Sequence, residues 1–281
     1  MNIGFIGQGW IGKNYADNFE GRGFGVVRYG LEDEYKDNKD KIKECDIVFI
    51  AVPTPTTPDG FSSEAIKSVL PLVGVGKIAV IKSTILPGTT EKLQEAFPDT
   101  FVFNSPEFLS ESTAREDADN PFMNIVGIPV DSKEYREKAD TVHSVLPKSP
   151  FSQVCKSKEA EIIKYAHNIS GYFQIVLFNL MYDIANSVGA EWTSIEKAMR
   201  ADPNVASRYS NPVHKNGRGA GGGCFIKDFA ALKMFYSERL AEDTAGVDVW
   251  KSLEQKNIEL LRQSQKDIEL LKGVYGEGVV N

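Results

Sequence analysis

Cysteine is scarce in this chain: Cys45, Cys155 and Cys224 are the three present in 281 residues. Their number is odd, and no two have the close spacing of a zinc ligand pair, so the sequence supports neither a disulfide framework nor a metal site. Sparse cysteine of this kind fits a reducing compartment. We therefore predict that the chain binds no metal and is cytoplasmic.

Long apolar runs and an excess of basic residues are also missing. A membrane-spanning helix needs about 20 apolar residues in succession, and the richest stretch, residues 169–184, is interrupted by Gln174, Asn179 and Asp183. The opening MNIGFIG resembles a strand and not a signal peptide. A net charge of −7 argues against binding to a phosphate backbone. We expect no membrane and no nucleic acid as partners.

Short β-rich runs alternate with helical patterns in residues 1–150. This alternation is typical of an α/β fold with a doubly wound parallel sheet of the Rossmann type. The pattern predicts strands at 2–6, 25–29, 47–52, 78–82, 101–103 and 124–127, and helices at 10–20, 62–71, 89–96 and 133–145.

Helical patterns dominate residues 151–281. The segment LPKSP at 146–150 contains two prolines, which disfavour a continuing helix and predict a hinge there. Apolar residues recur every three or four positions over 157–188, which predicts one long central helix. Further helices are predicted at 225–240 and 247–271. We assign 151–281 to an all-helical domain for substrate binding and dimerisation, and we expect a homodimer because the apolar faces are too extensive for a lone helix.

A glycine-rich turn, Gly7-Gln8-Gly9-Trp10-Ile11-Gly12, joins the first predicted strand to the first helix. The first glycine permits a tight turn, the second lets the backbone approach a pyrophosphate, and the third lets the helix pack on the strand. The helix N-terminus offers N–H groups to the phosphates. The turn therefore predicts a dinucleotide-binding domain over residues 1–150.

The second predicted strand bears on the choice between NAD and NADP. Glu32 is the nearest acid after it and can accept hydrogen bonds from the adenosine ribose, which favours NAD. Arg28 can instead meet a 2′-phosphate, which favours NADP. We prefer NAD, and NADP stays open.

The segment GAGGGCFIKD, residues 219–228, holds the third cysteine. Glycines let a loop wrap closely around a ligand, and Cys224 lies where a helix is predicted to begin. A helix N-terminus and the nearby Lys227 both lower the pKa of a thiol and so enrich the nucleophilic thiolate. Taken alone, the segment is explained better by a small buried cysteine in a flexible loop.

Six motifs precede this segment in order, and together with it they closely resemble the UDP-glucose/GDP-mannose 6-dehydrogenase family. The resemblance runs from residue 1 to about residue 240 and is closest to the UDP-glucose enzymes. The motifs are Val52-Pro53-Thr54-Pro55, Lys82-Ser83-Thr84 with Pro87-Gly88-Thr89, Ser105-Pro106-Glu107-Phe108-Leu109, Lys164-Tyr165 with Asn168, Asp202-Pro203, and Tyr209 with Asn211-Pro212.

The resemblance implies oxidation of the C6 alcohol of a nucleotide sugar to the acid, using two NAD molecules in succession. Cys224 would form a thiohemiacetal and then a thioester. Lys164 and Asn168, four residues apart on one helix face, would stabilise the oxyanion. Asp228 and Thr84 would assist proton transfer through water, and Glu107 would be the general base for thioester hydrolysis.

The resemblance also implies two sets of binding residues. The cofactor set is Gly7, Gln8, Gly9, Trp10, Ile11, Gly12, Glu32, Val52, Pro53, Thr54, Ser83, Thr84, Glu107 and Lys227. The set for the nucleotide-sugar substrate is Phe108, Leu109, Lys164, Asn168, Tyr209, Asn211, Gly221 and Cys224.

The chain departs from the family pattern at several positions. Ile226 replaces a proline, Ser110 and Asn204 replace arginines, and the loop between Asn211 and Gly219 is longer. Family members usually continue into a third, nucleotide-binding domain that we expect to be missing here. A partner subunit or a separate polypeptide would then complete the pocket, or the substrate would be different or smaller.

Two alternatives stay open. One is a two-electron dehydrogenase resembling the β-hydroxyacid dehydrogenases, which share the two-domain plan and a Lys-x-x-x-Asn pair but need no cysteine. The other is a non-catalytic nucleotide-binding protein. The joint presence of Cys224, Lys227, Asp228, Lys164, Asn168 and Glu107 argues against the second, since binding alone does not require all six.

Overall fold

A computed structural model describes residues 1–280 of the chain, which divide into two compact units. Unit 1 is Met1–Thr54 with Ser62–Lys164, and unit 2 is Pro55–Phe61 with the chain from Tyr165 onward. The boundary falls inside one continuous helix, Ser157–Ser187. The assignment of residues 1–150 to the cofactor and of residues 151–281 to substrate and dimerisation stays a prediction.

The regular elements follow one another as short strands and helices. The strands are β1 (Asn2–Ile6), β2 (Gly25–Tyr29), β3 (Ile47–Ile50), β4 (Thr56–Thr57), β5 (Gly60–Phe61), β6 (Ile78–Ile81), β7 (Phe101–Asn104), β8 (Met123–Ile128), β9 (Phe151–Lys156), β10 (Val213–His214) and β11 (Gly217–Arg218). The helices are α1 (Trp10–Gly21), α2 (Glu64–Val69), α3 (Thr89–Ala96), α4 (Ala114–Asp119), α5 (Lys133–Val145), α6 (Ser157–Ser187), α7 (Trp192–Ala201), α8 (Gly222–Arg239), α9 (Thr244–Gln263) and α10 (Ile268–Tyr275). Short 3₁₀ helices lie at Lys36–Glu44, Leu70–Leu72, Ser207–Tyr209 and Glu277–Val280.

Unit 1 is built on a seven-stranded sheet with the order β2-β1-β3-β6-β7-β8-β9. The first five strands in this order are parallel. Strand β8 then pairs antiparallel with β7, and β9 pairs parallel with β8. The predicted Rossmann-type α/β fold followed by a helical region is confirmed, with a mixed edge to the sheet that the sequence did not indicate.

The core of unit 1 is made by its central strands, which are buried along their whole length. All four residues of β3 and of β6 are buried, as expected for a sheet that is covered on both faces. Phe5 of β1 stacks on Phe49 of β3 with 5.1 Å between ring centroids, and Phe19 of α1 packs edge-on against both. These contacts fix α1, and with it the glycine turn, on the sheet.

Two predictions for the helical part were wrong in detail. The segment after the predicted hinge is not helical at once, because strand β9 comes first. The predicted helix 247–271 is two helices, with Gln265 and Asp267 in left-handed conformations at φ 53° and 54° between them. The Lys266 N–H donates to the Leu261 carbonyl, as in a Schellman helix end. Gln265 occupies the position where a glycine would have signalled the end.

Unit 2 consists of helices with two small antiparallel hairpins, β4–β5 and β10–β11. Its main core packs Tyr172 and Val176 of α6 against Phe229 of α8, and the Tyr172 and Phe229 rings stack at 3.9 Å. A smaller cluster joins Ile226 of α8 to Leu271 of α10.

Among the described residues, no helix has both the length and the apolar character that crossing a membrane requires. In the same part of the chain, no group of three or more His, Cys, Asp or Glu side chains is arranged to hold a metal ion.

Candidate active site

The glycine turn after β1 has the geometry that a dinucleotide needs. Gly7 has φ +90°, and a Cβ there would lie 2.4 Å from the Ala51 carbonyl oxygen. A Cβ on Gly12 would lie 1.9 Å from the Gly7 carbonyl oxygen, so this helix can approach the turn only through a glycine. Gly9 has open space beside it and immediately precedes α1. The turn thus leaves room for a pyrophosphate at a helix N-terminus.

The end of β2 carries the two residues that bear on cofactor choice. A Cβ on Gly30 would lie 2.1 Å from the Glu32 Oε2 atom, so the Glu32 carboxylate lies against the strand end. Arg28 donates to Asp17 and Glu20, each at 2.7 Å from its NH2 atom. The Glu32 carboxylate thus lies at the end of β2, while the Arg28 charge is already neutralised by two carboxylates. These residues fit NAD.

The loops after β3 and β6 meet at the carboxyl edge of the sheet. Thr54 Oγ1 donates to the Thr84 carbonyl at 2.8 Å, and Ser83 Oγ donates to the Val52 carbonyl at 2.6 Å. The predicted cofactor residues Val52, Thr54, Ser83 and Thr84 are thus brought together by side chain to backbone bonds. Ligands of open α/β sheets bind at this edge.

A buried ion pair joins two of the predicted catalytic residues. Lys164 Nζ lies 2.9 Å from Glu107 Oε1, and the two side chains are 4% and 3% exposed. The second Glu107 oxygen accepts a hydrogen bond from the Leu109 N–H at 2.7 Å. Lys164 also lies 5.4 Å from the ring centroid of Phe108. The carboxylate of Glu107 is therefore held in place by both of its oxygens.

Lys82 belongs to the motif Lys82-Ser83-Thr84, from which no role for the lysine was predicted. Its side chain is buried at the end of β6, where Nζ lies 3.3 Å from Ser105 Oγ and 4.5 Å from the ring centroid of Tyr15. Burial lowers the pKa of Lys82, the Glu107 carboxylate opposes this shift and the Lys164 charge adds to it, and the resulting pKa is about 7. A lysine directly after four apolar strand residues was the available signal.

Cys224 lies in the first turn of α8, which begins at Gly222. Asp228 follows it by one turn, so the thiol and this carboxylate share a helix face. Asp228 is 1% exposed and accepts from Asn168 Nδ2 at 2.7 Å and from Lys227 Nζ at 2.5 Å. Unit 2 thus joins Asn168, Lys227 and Asp228 by hydrogen bonds, with Cys224 one turn before Asp228 on α8.

The other two thiols have a different environment. Cys45 and Cys155 are buried, whereas Cys224 is partly exposed. Burial raises the pKa of Cys45 and of Cys155 to about 11. Neither is therefore suited to act as a thiolate near neutral pH.

The remaining predicted substrate residues have structural contacts in unit 2. Tyr209 packs on Phe225 with 5.9 Å between ring centroids, and Asn211 Oδ1 accepts from the Val213 N–H at 2.9 Å. A Cβ on Gly221 would lie 2.0 Å from Asp267 Oδ2, so a side chain there would displace the Asp267 carboxylate. Asn211 also lines a cavity of about 450 Å³ beside Trp192 at the start of α7.

Two domains of one known family match this chain. Residues 27–146 match the NAD binding domain of the UDP-glucose/GDP-mannose dehydrogenase family, and residues 158–258 match the central domain of the same family. The chain belongs to this family. The two matched ranges together cover most of the 281 residues.

Named relatives agree with this family membership. UDP-glucose 6-dehydrogenase AglM of Haloferax volcanii is 26% identical, over 94% of this chain and 72% of its own length. A UDP-glucose 6-dehydrogenase of Rhizobium meliloti is 29% identical, over 75% of this chain. This chain covers 52% of the Rhizobium protein, so it spans only about half the length of some relatives.

Solved structures of the family share the fold. A UDP-glucose dehydrogenase from Pyrobaculum islandicum superposes with a TM-score of 0.79 at 24% identity, covering 96% of this chain and 70% of its own. A 3-hydroxyisobutyrate dehydrogenase from Mycobacterium tuberculosis gives a TM-score of 0.69 at 14% identity, covering 92% and 95%. At these identities the likeness concerns the fold alone.

Proposed function

We propose that this chain is an NAD-dependent dehydrogenase that oxidises the C6 alcohol of a nucleotide sugar, such as UDP-glucose, to the carboxylate. The family membership and the geometry at Cys224 support this proposal. When bound, NAD is the hydride acceptor for both oxidations. The groups that would hold it are the glycine turn, Glu32, and the joined loops that carry Val52, Pro53, Thr54, Ser83 and Thr84.

Cys224 is the nucleophile in the proposed reaction. The first oxidation removes two electrons from the alcohol and leaves an aldehyde. The Cys224 thiolate adds to the aldehyde carbon, a C–S bond forms, and the oxygen takes up a proton to give a thiohemiacetal. Loss of a hydride and of that proton yields the thioester. Water then attacks the thioester carbon, the C–S bond breaks, and the carboxylate and thiol are released.

The other predicted catalytic residues move and stabilise charge in these steps. Asp228 lies on the same face of α8, and its hydrogen bond from Asn168 orients it to exchange protons through water, with Thr84 assisting. Asn168 and Lys164 lie one turn apart on α6 and stabilise the developing oxyanion. Glu107, held by Lys164 and by the Leu109 N–H, activates the hydrolytic water. Phe108, Tyr209, Asn211 and Gly221 are the proposed substrate-binding residues.

The observation that carries the proposal is the position of Cys224 one turn before Asp228, the carboxylate that Asn168 binds. A partly exposed thiol in the first turn of a helix, one turn from a buried carboxylate, is suited to thiolate chemistry. The β-hydroxyacid alternative has no use for this thiol.

NAD reduction with a panel of nucleotide sugars tests the proposal. Purified wild-type protein should form NADH with at least one sugar nucleotide, and Cys224→Ser should lose net oxidation to the acid. Cys155→Ser, which changes a buried thiol, is the matched control and should retain activity. Full activity in Cys224→Ser would contradict the proposal and favour the two-electron alternative.

We infer further that the chain forms a homodimer through α6. Leu177, Leu180, Met181 and Ile184 recur at the spacing of one helix face, and each is between 39% and 55% exposed. A stripe of this kind on a central helix supports an isologous contact with a second copy.

A further inference from the structure

The loop that leads into α8, and so to Cys224, is held mainly through its backbone. Asn257 of α9 forms two hydrogen bonds with Ala220, donating to its carbonyl at 2.9 Å and accepting from its N–H at 2.6 Å. Lys266 Nζ donates to the Gly219 carbonyl at 2.9 Å. Ser264 Oγ accepts from the Arg218 N–H at 2.9 Å. Residues 218–220 are therefore fixed by α9 and by the turn that follows it.

A further hydrogen bond from the same turn holds the start of α8. Asp267 Oδ2 accepts a hydrogen bond from the Gly222 N–H at 2.7 Å, two residues before Cys224. Gly222 is the first residue of α8, so its N–H has no partner within that helix. The carboxylate of Asp267 satisfies this N–H from another element.

Asp267 binds the start of α8 even though it stands at the N-terminus of α10 and has an unfavourable backbone conformation. Asp267 precedes α10 at its N-cap position, where an aspartate usually accepts from its own helix. Its side chain makes no such bond, and its backbone is left-handed with φ +54°. Left-handed non-glycine residues cluster at functional sites when the surrounding structure holds them there. The side chain caps α8 instead of α10.

We propose that the turn Ser264–Asp267 is a clamp for residues 218–222, which lead to Cys224, and that Asp267 is its positioning residue. By binding the Gly222 N–H, Asp267 fixes the first turn of α8 and with it the direction of the Cys224 side chain. The inference rests on the proposed function only in giving Cys224 a chemical role. The clamp lies beyond residue 258, where the match to the family's central domain ends.

Hydrogen exchange tests the clamp without any substrate. Asp267→Gly removes the side chain but suits the left-handed backbone, and Asp267→Asn keeps both the backbone preference and an acceptor oxygen. In Asp267→Gly, peptides that cover residues 219–224 should exchange about tenfold faster, as loss of a charge-assisted hydrogen bond implies. Asp267→Asn should restore most of the protection. Asp243→Ala, which removes the N-cap of α9, is the control and should leave these peptides unchanged.

The kinetic readout distinguishes positioning from a general loss of stability. Asp267→Gly should lower kcat by at least about tenfold because the nucleophile is misplaced. KM should change little, and Asp267→Asn should recover kcat. Unchanged exchange of residues 219–224 in Asp267→Gly would overturn the clamp, and so would equal loss of protection in Asp267→Gly and Asp267→Asn. If the wild-type protein oxidises no nucleotide sugar, the proposed function fails, while the exchange result still decides the clamp.

Discussion

Lys164 Nζ lies 2.9 Å from Glu107 Oε1, and both side chains are almost completely buried. Such a pair is weak evidence for stability as a whole, because desolvation of both charges opposes their attraction. Removing one partner is different, since it leaves the other charge buried without compensation. A change at either residue should therefore affect both the proposed chemistry and the stability of unit 1.

We expect Lys164→Met to lower the free energy of unfolding by about 3–5 kcal/mol, because Glu107 is left as a buried charge. Lys164→Met with Glu107→Leu should recover most of this loss, since no charge remains. Urea denaturation of the three proteins measures the difference. Lys67→Met breaks the exposed Lys67–Glu64 pair and should have little effect. Equal stability of Lys164→Met and the wild type would show that the pair is not buried as described.

Lys82 should make stability depend on pH. Its pKa is about 7 in the folded chain, against an ordinary value of 10.5. Between these two values the unfolded state binds more protons than the folded state, so stability from this group rises with pH. Below about pH 7, Lys82 is charged in both states and its burial lowers the free energy of unfolding by the full amount.

Replacing Lys82 with methionine removes this dependence. At pH 7, Lys82→Met should have a higher free energy of unfolding than the wild type. This advantage should shrink towards pH 10, by on the order of a few kcal/mol. Urea denaturation at both pH values measures it. A difference between the two proteins that stays constant from pH 7 to pH 10 would contradict the lowered pKa of Lys82.

Arg28 should become available to a phosphate once its partners are neutral. In Asp17→Asn with Glu20→Gln, the guanidinium loses the two carboxylates that it now binds. We expect the ratio of the Kd for NADP to the Kd for NAD to fall by about tenfold or more, since charge-assisted bonds to a 2′-phosphate replace those lost. Isothermal titration with each dinucleotide measures both constants. An unchanged ratio would mean that Arg28 does not reach the ribose end of the cofactor.

The apolar stripe on α6 should control the oligomeric state. Leu180→Glu with Ile184→Glu places charges in the stripe and should convert a dimer to a monomer in sedimentation velocity. Val75→Glu changes an apolar residue that is 81% exposed outside the stripe, so it should leave the mass unchanged. A wild-type protein that sediments as a monomer at all concentrations would refute the dimer.

Local sequence patterns predicted most of the fold. The helices Thr89–Ala96 and Lys133–Val145 have the bounds that the sequence predicts. In the second helix, Ala139, Val142 and Val145 recur every three residues and are buried. Strand β9 was missed since its residues are mostly exposed at a sheet edge and show no apolar alternation. The break between α9 and α10 was missed because no glycine stands at the helix end.

Long-range partners were not accessible from sequence. Glu161 is buried and accepts from the Gly88 and Thr90 N–H groups, so it caps α3 from a position about 70 residues away. Asp267 binds Gly222 in the same manner. The functional motifs were easier to find because their glycines, prolines and charged residues stand in recognisable order. The motifs did not indicate which distant side chains bind their backbone groups.

The number of NADH molecules formed per nucleotide sugar consumed tests the central claim most directly. The proposed covalent route through Cys224 predicts two NADH for each UDP-glucose, or for whichever sugar nucleotide is turned over, with the acid as product. A ratio of one NADH, with an aldehyde or ketone as product and no dependence on Cys224, would contradict it.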